Sequence, residues 1–195
     1  MSALLPDVDY WPNYVTATDA DQLYQHCVTA LPWRQEPIHM FGRTILQPRL
    51  QVWMGEQPYR YSGRTYDPTP WDARLLSLAE ALGQSAGVPV NTVLCNWYQH
   101  GQHSMGWHSD NEPELGTEPV IFSVSLGEPR RFLLRRKDQP KEKVEYLLQH
   151  GDVLVMRGQT QRDWEHSIPK SARVTEGRIN LTYRQVIPVV TGGSG

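Results

Sequence analysis

Two histidines and a carboxylate stand where they could share one metal ion. His108 and Asp110 are separated by one residue inside NWYQHGQHSMGWHSDNE, residues 96–112. In an extended strand alternate side chains project to the same face. Imidazole and carboxylate therefore converge without a bend, while Trp107 and Ser109 face away. A polar strand end has the same pattern, so the pair alone leaves its role open. Far downstream, RINLTYR (178–184) alternates as well. Arg178, Asn180, Thr182 and Arg184 share one face; Ile179, Leu181 and Tyr183 share the other. Two guanidiniums with two hydrogen-bonding residues and no acid suit a dianion, because guanidinium forks bind carboxylates bidentately. Such a face could equally meet solvent.

Between these stretches, DWEHSIPK supplies His166. Two histidines and one carboxylate, with coordination positions left over, form the donor set of non-haem Fe(II) sites. An arginine strand beside it would hold a carboxylate-bearing cosubstrate. His100 and His103 fall in the turn before the first ligand strand. A structural zinc cluster lacks partners, since Cys95 is the only nearby thiol and no C-x-x-C occurs. A hydrolytic zinc site made from the same three residues would leave Arg178 and Arg184 without a role.

The elements that must position these residues can be read in outline. TATDADQLYQHCVTAL suits a helix capped by Thr18, with Leu23, Cys27, Ala30 and Leu31 on one face. TPWDARLLSLAEALG suits a second, with Thr69 as cap, Pro70 in the first position and Gly83 as stop. MFGRTILQPRLQVWMG and YRYSGRTY between them alternate around turns. After Pro89 the pattern is strand and turn: VIFSVSLG, RFLLRRK, KVEYLLQ, VLVMRG and RINLTYRQV. Short strands at regular spacing predict a sandwich or barrel, with the helices on one outer face. The expected class is mostly β with N-terminal helices (α+β). The chain reads as one domain over 1–190: helices and hairpins in 1–88, a strand core in 89–190, and a small-residue tail in 191–195.

Composition narrows the classes. The chain has 195 residues and a formal charge of -2, so no global basicity points to nucleic acid. Any such partner must be read from local patches. Two cysteines make no disulfide framework, and the first residues lack the pattern of a signal peptide. No stretch is apolar enough for a membrane span. A monomer in the cytoplasm of a bacterial-type cell is expected, with no membrane partner.

The order His108-x-Asp110, His166, Arg178 and Arg184 resembles the AlkB branch of the 2-oxoglutarate- and Fe(II)-dependent dioxygenases. FGR, PRLQ, YSG, PWDARL, SVSLG and HGDVLVM look like the duplex-acting repair members, and the likeness runs from about Met40 to Ile187. The resemblance implies a double-stranded β-helix, or jelly roll. It implies His108, Asp110 and His166 as ligands of Fe(II), and 2-oxoglutarate held by Asn96, Tyr98, Arg178, Asn180, Thr182 and Arg184. The implied reaction removes the alkyl group of bases such as 1-methyladenine or 3-methylcytosine, yielding formaldehyde, succinate and CO2. The implied partner is DNA, with RNA as a second candidate. A dioxygenase of the same fold acting on a protein or small molecule, and a non-catalytic nucleic-acid-binding module, are the competing readings.

The resemblance also assigns residues that reach the base. Met40, Phe41, Gly42 and Arg43 would form a hairpin tip whose apolar wedge fills the stack left by a flipped base. Tyr59, Arg60 and Tyr61 would line the base pocket, although aromatic strand residues are often core. Asn111 stands where the family members most like this chain carry an acid, with Glu112 next, which leaves the damage spectrum open. Arg130, Arg131, Arg135, Arg136 and Lys137 form a basic run that could follow phosphates or be a solvated face.

Overall fold

Alternation along the strands separates two interiors. The computed structural model describes residues 5–40, 43–56, 59–61 and 64–187, with side chains described outside 38–44 and 57–66. In chain order the elements are β1 (Val8–Trp11), α1 (Ala17–Ala30), β2 (Pro37–Met40), β3 (Arg43–Leu46), β4 (Leu50–Gly55), β5 (Tyr59–Tyr61), β6 (Arg64–Tyr66) and α2 (Ala73–Ala86). Then come β7 (Thr92–Tyr98), β8 (Met105–His108), β9 (Ile121–Gly127), β10 (Arg130–Arg136), β11 (Lys143–Leu148), β12 (Val153–Met156), α3 (Thr160–Asp163), β13 (Trp164–Ile168) and β14 (Arg178–Arg184).

Six strands form a large sheet in the order β1-β12-β9-β14-β7-β4, and four form a smaller one in the order β11-β10-β13-β8. All their pairings are antiparallel. β9 and β10 follow one another in sequence but lie in different sheets, as do β11 and β12. The turns at GEPR and HGD thus carry the chain from one sheet to the other, which is how a jelly roll is wound. Within these two sheets β10 and β11 are consecutive and pair directly, with Arg130 opposite Leu148 and Arg135 opposite Lys143.

The outer face of the large sheet packs on both helices. Leu23 and Cys27 of α1 and Leu75, Ala79 and Leu82 of α2 meet Val93, Cys95, Phe122, Val124, Ile179, Leu181 and Tyr183. Each large apolar side chain buried this way contributes roughly 1.5–3 kcal/mol. Ile121, Leu154 and Met156 of the large sheet and Phe132, Leu134, Trp164 and Ile168 on the β10 and β13 side make a second core between the sheets. The helices lie on one outer face, as the sequence suggested.

Both helices start elsewhere than expected. α1 is capped by Thr16, whose Oγ1 accepts the Asp19 N–H at 3.3 Å and donates to Asp19 Oδ2 at 2.7 Å. Ala30, expected on the buried face, is exposed. α2 is capped by Asp72, whose Oδ1 accepts the N–H groups of Arg74 and Leu75. Thr69 cannot cap because it bridges Met54, donating its N–H to Trp53 O at 2.8 Å. Gly83 does not end the helix either. A Cβ there would stand 2.8 Å from Val88 O, so its bare Cα lets the returning chain pass. The stop is Gly87, left-handed at φ 67°.

Candidate metal and cosubstrate site

β14 settles which way its polar face points. Its seven residues are all buried. Because Ile179, Leu181 and Tyr183 face the helices, Arg178, Asn180, Thr182 and Arg184 face the space between the sheets. There they line a cavity of about 520 Å³, counting its open mouth, together with Asn96, Tyr98, His108, Asp110 and His166. Solvent exposure of the arginines is excluded: Arg178 and Arg184 are each 1% exposed.

The opposite wall carries the triad. β13 pairs with β8 so that His166 lies directly across from His108. The ring centroids are 4.2 Å apart at 60°. One donor atom each from His108, Asp110 and His166 fall within 4.8 Å of one another. His108 Nδ1 donates to Gly106 O at 2.9 Å, which fixes the tautomer and leaves Nε2 as the free lone pair. That Nε2 is 3.7 Å from Asp110 Oδ1. Phe132 stacks on His166 at 5.3 Å.

The charges suit a cation. Burial pushes the His166 pKa down to about 3, and burial lowers that of His108 as well, so both rings are neutral donors. Burial opposes ionisation of Asp110, but Arg184, His166, His108 and Arg49 outweigh it and hold its pKa below the usual carboxylate range. Arg184 Nη1 sits 3.6 Å from Asp110 Oδ2. Two neutral imidazoles and a carboxylate, partly open through His108, fit an Fe(II) ion with positions to spare.

The arginine wall fits a dianion. Arg178 donates to Ser125 Oγ at 2.9 Å and lies over the Tyr98 ring at 5.7 Å. Among the described residues its buried Nε and Nη1 have no hydrogen-bond partner. Burial lowers its pKa to about 10. A buried cation with free donors aimed at a cavity is what a carboxylate would complete. Asn180 donates to Ser123 Oγ at 2.7 Å and its Oδ1 accepts from Thr182, so these two residues brace the wall. Asn96 Oδ1 accepts from Arg49 Nε and Gln51 Nε2, both at 2.9 Å. Its oxygen is thereby committed, and its NH2 is the group left for a ligand.

Three contributors were not foreseen. Arg49 and Gln51, which orient Asn96, lie within PRLQ, a stretch noted for resemblance but given no role. Gln161 Oε1 accepts the Asp110 N–H at 2.9 Å; nothing local in the sequence marks it.

Other expected site residues fall differently. Arg130 is no phosphate contact: it is 2% exposed and donates to His103 O and Pro169 O, tying two loops together. Burial lowers its pKa. Arg131, Arg135 and Arg136 are paired with Glu145, Glu165 and Asp138 at 2.6–2.8 Å, and Lys137 donates to Gln161 O. Three of the five cations are thus paired with nearby carboxylates, which weakens the run's claim on phosphates. The His100 and His103 rings lie 4.2 Å apart, tilted at 49°, outside the triad. Asn111 is exposed and Glu112 half-buried beside Asp110. Phe41 and Gly42 lie outside the described residues, and the side chains of Met40, Arg43, Tyr59, Arg60 and Tyr61 outside the described side chains. The backbones of Met40 and Arg43 belong to the antiparallel pair β2–β3, where they lie opposite each other, and those of Tyr59, Arg60 and Tyr61 to the pair β5–β6, with Tyr61 opposite Arg64.

Comparison with known proteins agrees with this geometry. The model of the 2OG-Fe(II) oxygenase superfamily matches residues 7–184. The chain is 40% identical over 186 residues to alpha-ketoglutarate-dependent dioxygenase alkB homolog 3 of Bos taurus, covering 91% of this chain and 65% of that protein. It is 39% identical to the Homo sapiens alkB homolog 3, again over 91% of this chain and 65% of the relative. The chain thus spans just under two thirds of these two relatives. DNA oxidative demethylase ALKBH2 of Homo sapiens is 32% identical over 181 residues, 87% of this chain and 69% of that protein. The solved structure of OsALKBH1 superposes with a TM-score of 0.69 at 17% identity, over 93% of this chain and 99% of that one, which speaks to the fold alone. With the triad and the arginine strand facing one cavity, and with these relatives, the chain belongs to the 2-oxoglutarate- and Fe(II)-dependent oxygenase superfamily, in its AlkB-type branch.

Proposed function

We propose that the protein removes alkyl groups from the nitrogens of damaged nucleobases in DNA, with RNA as a second substrate. The observation that carries this reading is the single cavity in which His108, Asp110 and His166 face Arg178 and Arg184. A hydrolase needs only the first wall; a 2-oxoglutarate-dependent oxygenase needs both. The substrate class is supported by the relatives, one group of which is named for oxidative demethylation of DNA.

Fe(II), held by the triad, would supply the coupled oxidation in which O2 gives one oxygen atom to 2-oxoglutarate, released as succinate and CO2, and the other to the N-alkyl carbon, whose hydroxymethyl group collapses to formaldehyde and the repaired base. The chain's own work is binding, orientation and exclusion of water. Arg184, beside Asp110, suits the carboxylate at the metal end of the cosubstrate; Arg178, beside Tyr98, suits the far end. The Asn96 NH2 can donate between them. Leu94, Met105, Phe132, Met156 and Ile168 line the same cavity and give it the apolar surface that exclusion of water needs. The test is release of formaldehyde from oligonucleotides carrying 1-methyladenine or 3-methylcytosine, with and without 2-oxoglutarate. Turnover of 2-oxoglutarate with a peptide or small molecule, and none with these oligonucleotides, would transfer the substrate to another class.

A further inference from the structure

Asp110 is a ligand without a ladder. β8 ends at His108, and its last registered pair with β13 is His108 with His166. The two residues beyond are in no strand, so no sheet bond holds the backbone from which the carboxylate hangs. Two side-chain bonds do this instead. Ser109 Oγ donates to Trp164 O at 3.0 Å, and the Asp110 N–H donates to Gln161 Oε1 at 2.9 Å.

Gln161 is placed for this task. It is 2% exposed and lies in the single turn of α3, which runs directly into the strand carrying His166. Its Nε2 donates to the Met156 sulfur at 3.3 Å, so both ends of the amide are engaged and its rotamer is held. Its own carbonyl accepts from Lys137 Nζ at 3.0 Å, and Lys137 N donates to Asp163 O at 3.0 Å, which clamps the turn to the end of β10. One side chain therefore links the segment before His166 to the backbone of Asp110. Beside the Ser109–Trp164 bond, it is the contact that acts on the Asp110 backbone N–H itself.

We propose that Gln161 is a positioning residue of the metal site: it sets Asp110 against His166 and so governs affinity for the divalent cation. This inference rests on the reading of the triad as an Fe(II) site. Groups that orient metal ligands typically change affinity by about 10–100-fold when lost. Gln161→Met keeps the volume and removes the acceptor for the Asp110 N–H.

The test is titration of the metal-free protein with Mn(II), with free Mn(II) followed by its electron paramagnetic resonance and the fold followed by melting curves. Wild type should bind at one site, and His166→Ala should lose it. Gln161→Met should bind about 10–100-fold more weakly, whereas Asp72→Ala, a helix-cap change remote from the triad, should bind as wild type although it melts lower. Should Gln161→Met fail to fold, Met156→Leu serves. It is nearly volume-conserving and removes the acceptor that holds the amide, and it too should weaken Mn(II). Wild-type affinity in a folded Gln161→Met, or in Met156→Leu where that variant is used, overturns the role of Gln161. Wild-type protein that binds no Mn(II), or binds it equally well after His166→Ala, overturns the triad reading instead.

Discussion

Replacing Arg178 by lysine keeps a cation but removes the fork, and replacing it by methionine removes both. The guanidinium is 1% exposed, with one bond to Ser125 Oγ and two nitrogens that have no partner among the described residues. Those nitrogens are the ones a carboxylate would use. A hydrogen bond to a charged group contributes about 1.5–3 kcal/mol, so Arg178→Lys should weaken 2-oxoglutarate by about tenfold to about 150-fold. Arg178→Met should abolish measurable binding. Stability should move the other way. Burial lowers the Arg178 pKa to about 10, so the cation is disfavoured in the folded protein at every pH below that value. The penalty eases only as pH rises from there toward the unfolded value. At neutral pH it stands in full, and Arg178→Met should melt no lower than wild type in the ligand-free state. The assay is calorimetric titration of the Mn(II)-loaded protein with 2-oxoglutarate, beside melting curves without ligand. Unchanged 2-oxoglutarate affinity in Arg178→Met would refute the assignment, as would a large loss of ligand-free stability, which would make the residue structural.

Asp72→Ala should destabilise the fold by about 1 kcal/mol as a lost cap, a fall of about 2–4 °C in a chain of this size. Asp72 also accepts from His26 at 2.7 Å. Burial opposes its ionisation, but the bonds from His26 and the helix N–H groups hold its pKa below the usual range. The stabilisation is therefore complete above the unfolded carboxylate pKa, and the gap between mutant and wild-type melting curves should close only as pH falls through the folded value. Phe41→Ala should reduce repair of a methylated base in a duplex far more than in a single strand, because only a stacked duplex leaves a hole to fill. Equal losses with a lowered melting temperature would instead make Phe41 a core residue, whose truncation typically costs ~3–5 kcal/mol.

What the sequence revealed was whatever depends on strand period. His108 and Asp110 were legible because residues two apart in extended chain return to the same face, although β8 ends at His108 and Asp110 lies just past it; β14 was legible because its two faces differ in chemistry. The sequence could not say whether the arginine face met water; burial against a second sheet decided it. Arg130 looked like the start of a solvated charge run. Strand alternation turns it inward while Arg131 turns out to Glu145, and only the pairing of β10 between β11 and β13 shows which parity is inside. Thr69 had the right chemistry for a cap but is held by a bridge to Met54, a contact between segments 15 residues apart in sequence. Gln161, Arg49 and Gln51 act through bonds to residues 45–51 positions away. Such bonds carry no local signature, so the groups that orient the ligands stayed hidden where the ligands themselves did not.

The central claim is that one cavity couples 2-oxoglutarate to removal of a methyl group from a nucleobase. The most direct measurement follows succinate, formaldehyde and the repaired base together, in a reaction of wild-type protein, Fe(II), 2-oxoglutarate, O2 and an oligonucleotide carrying one 1-methyladenine. Equal amounts of all three products are expected, with none from His166→Ala. Succinate formed without formaldehyde or repaired base would contradict the claim by leaving an oxygenase whose substrate is not an alkylated base. Methyl loss that persists without 2-oxoglutarate would contradict it at the cosubstrate site.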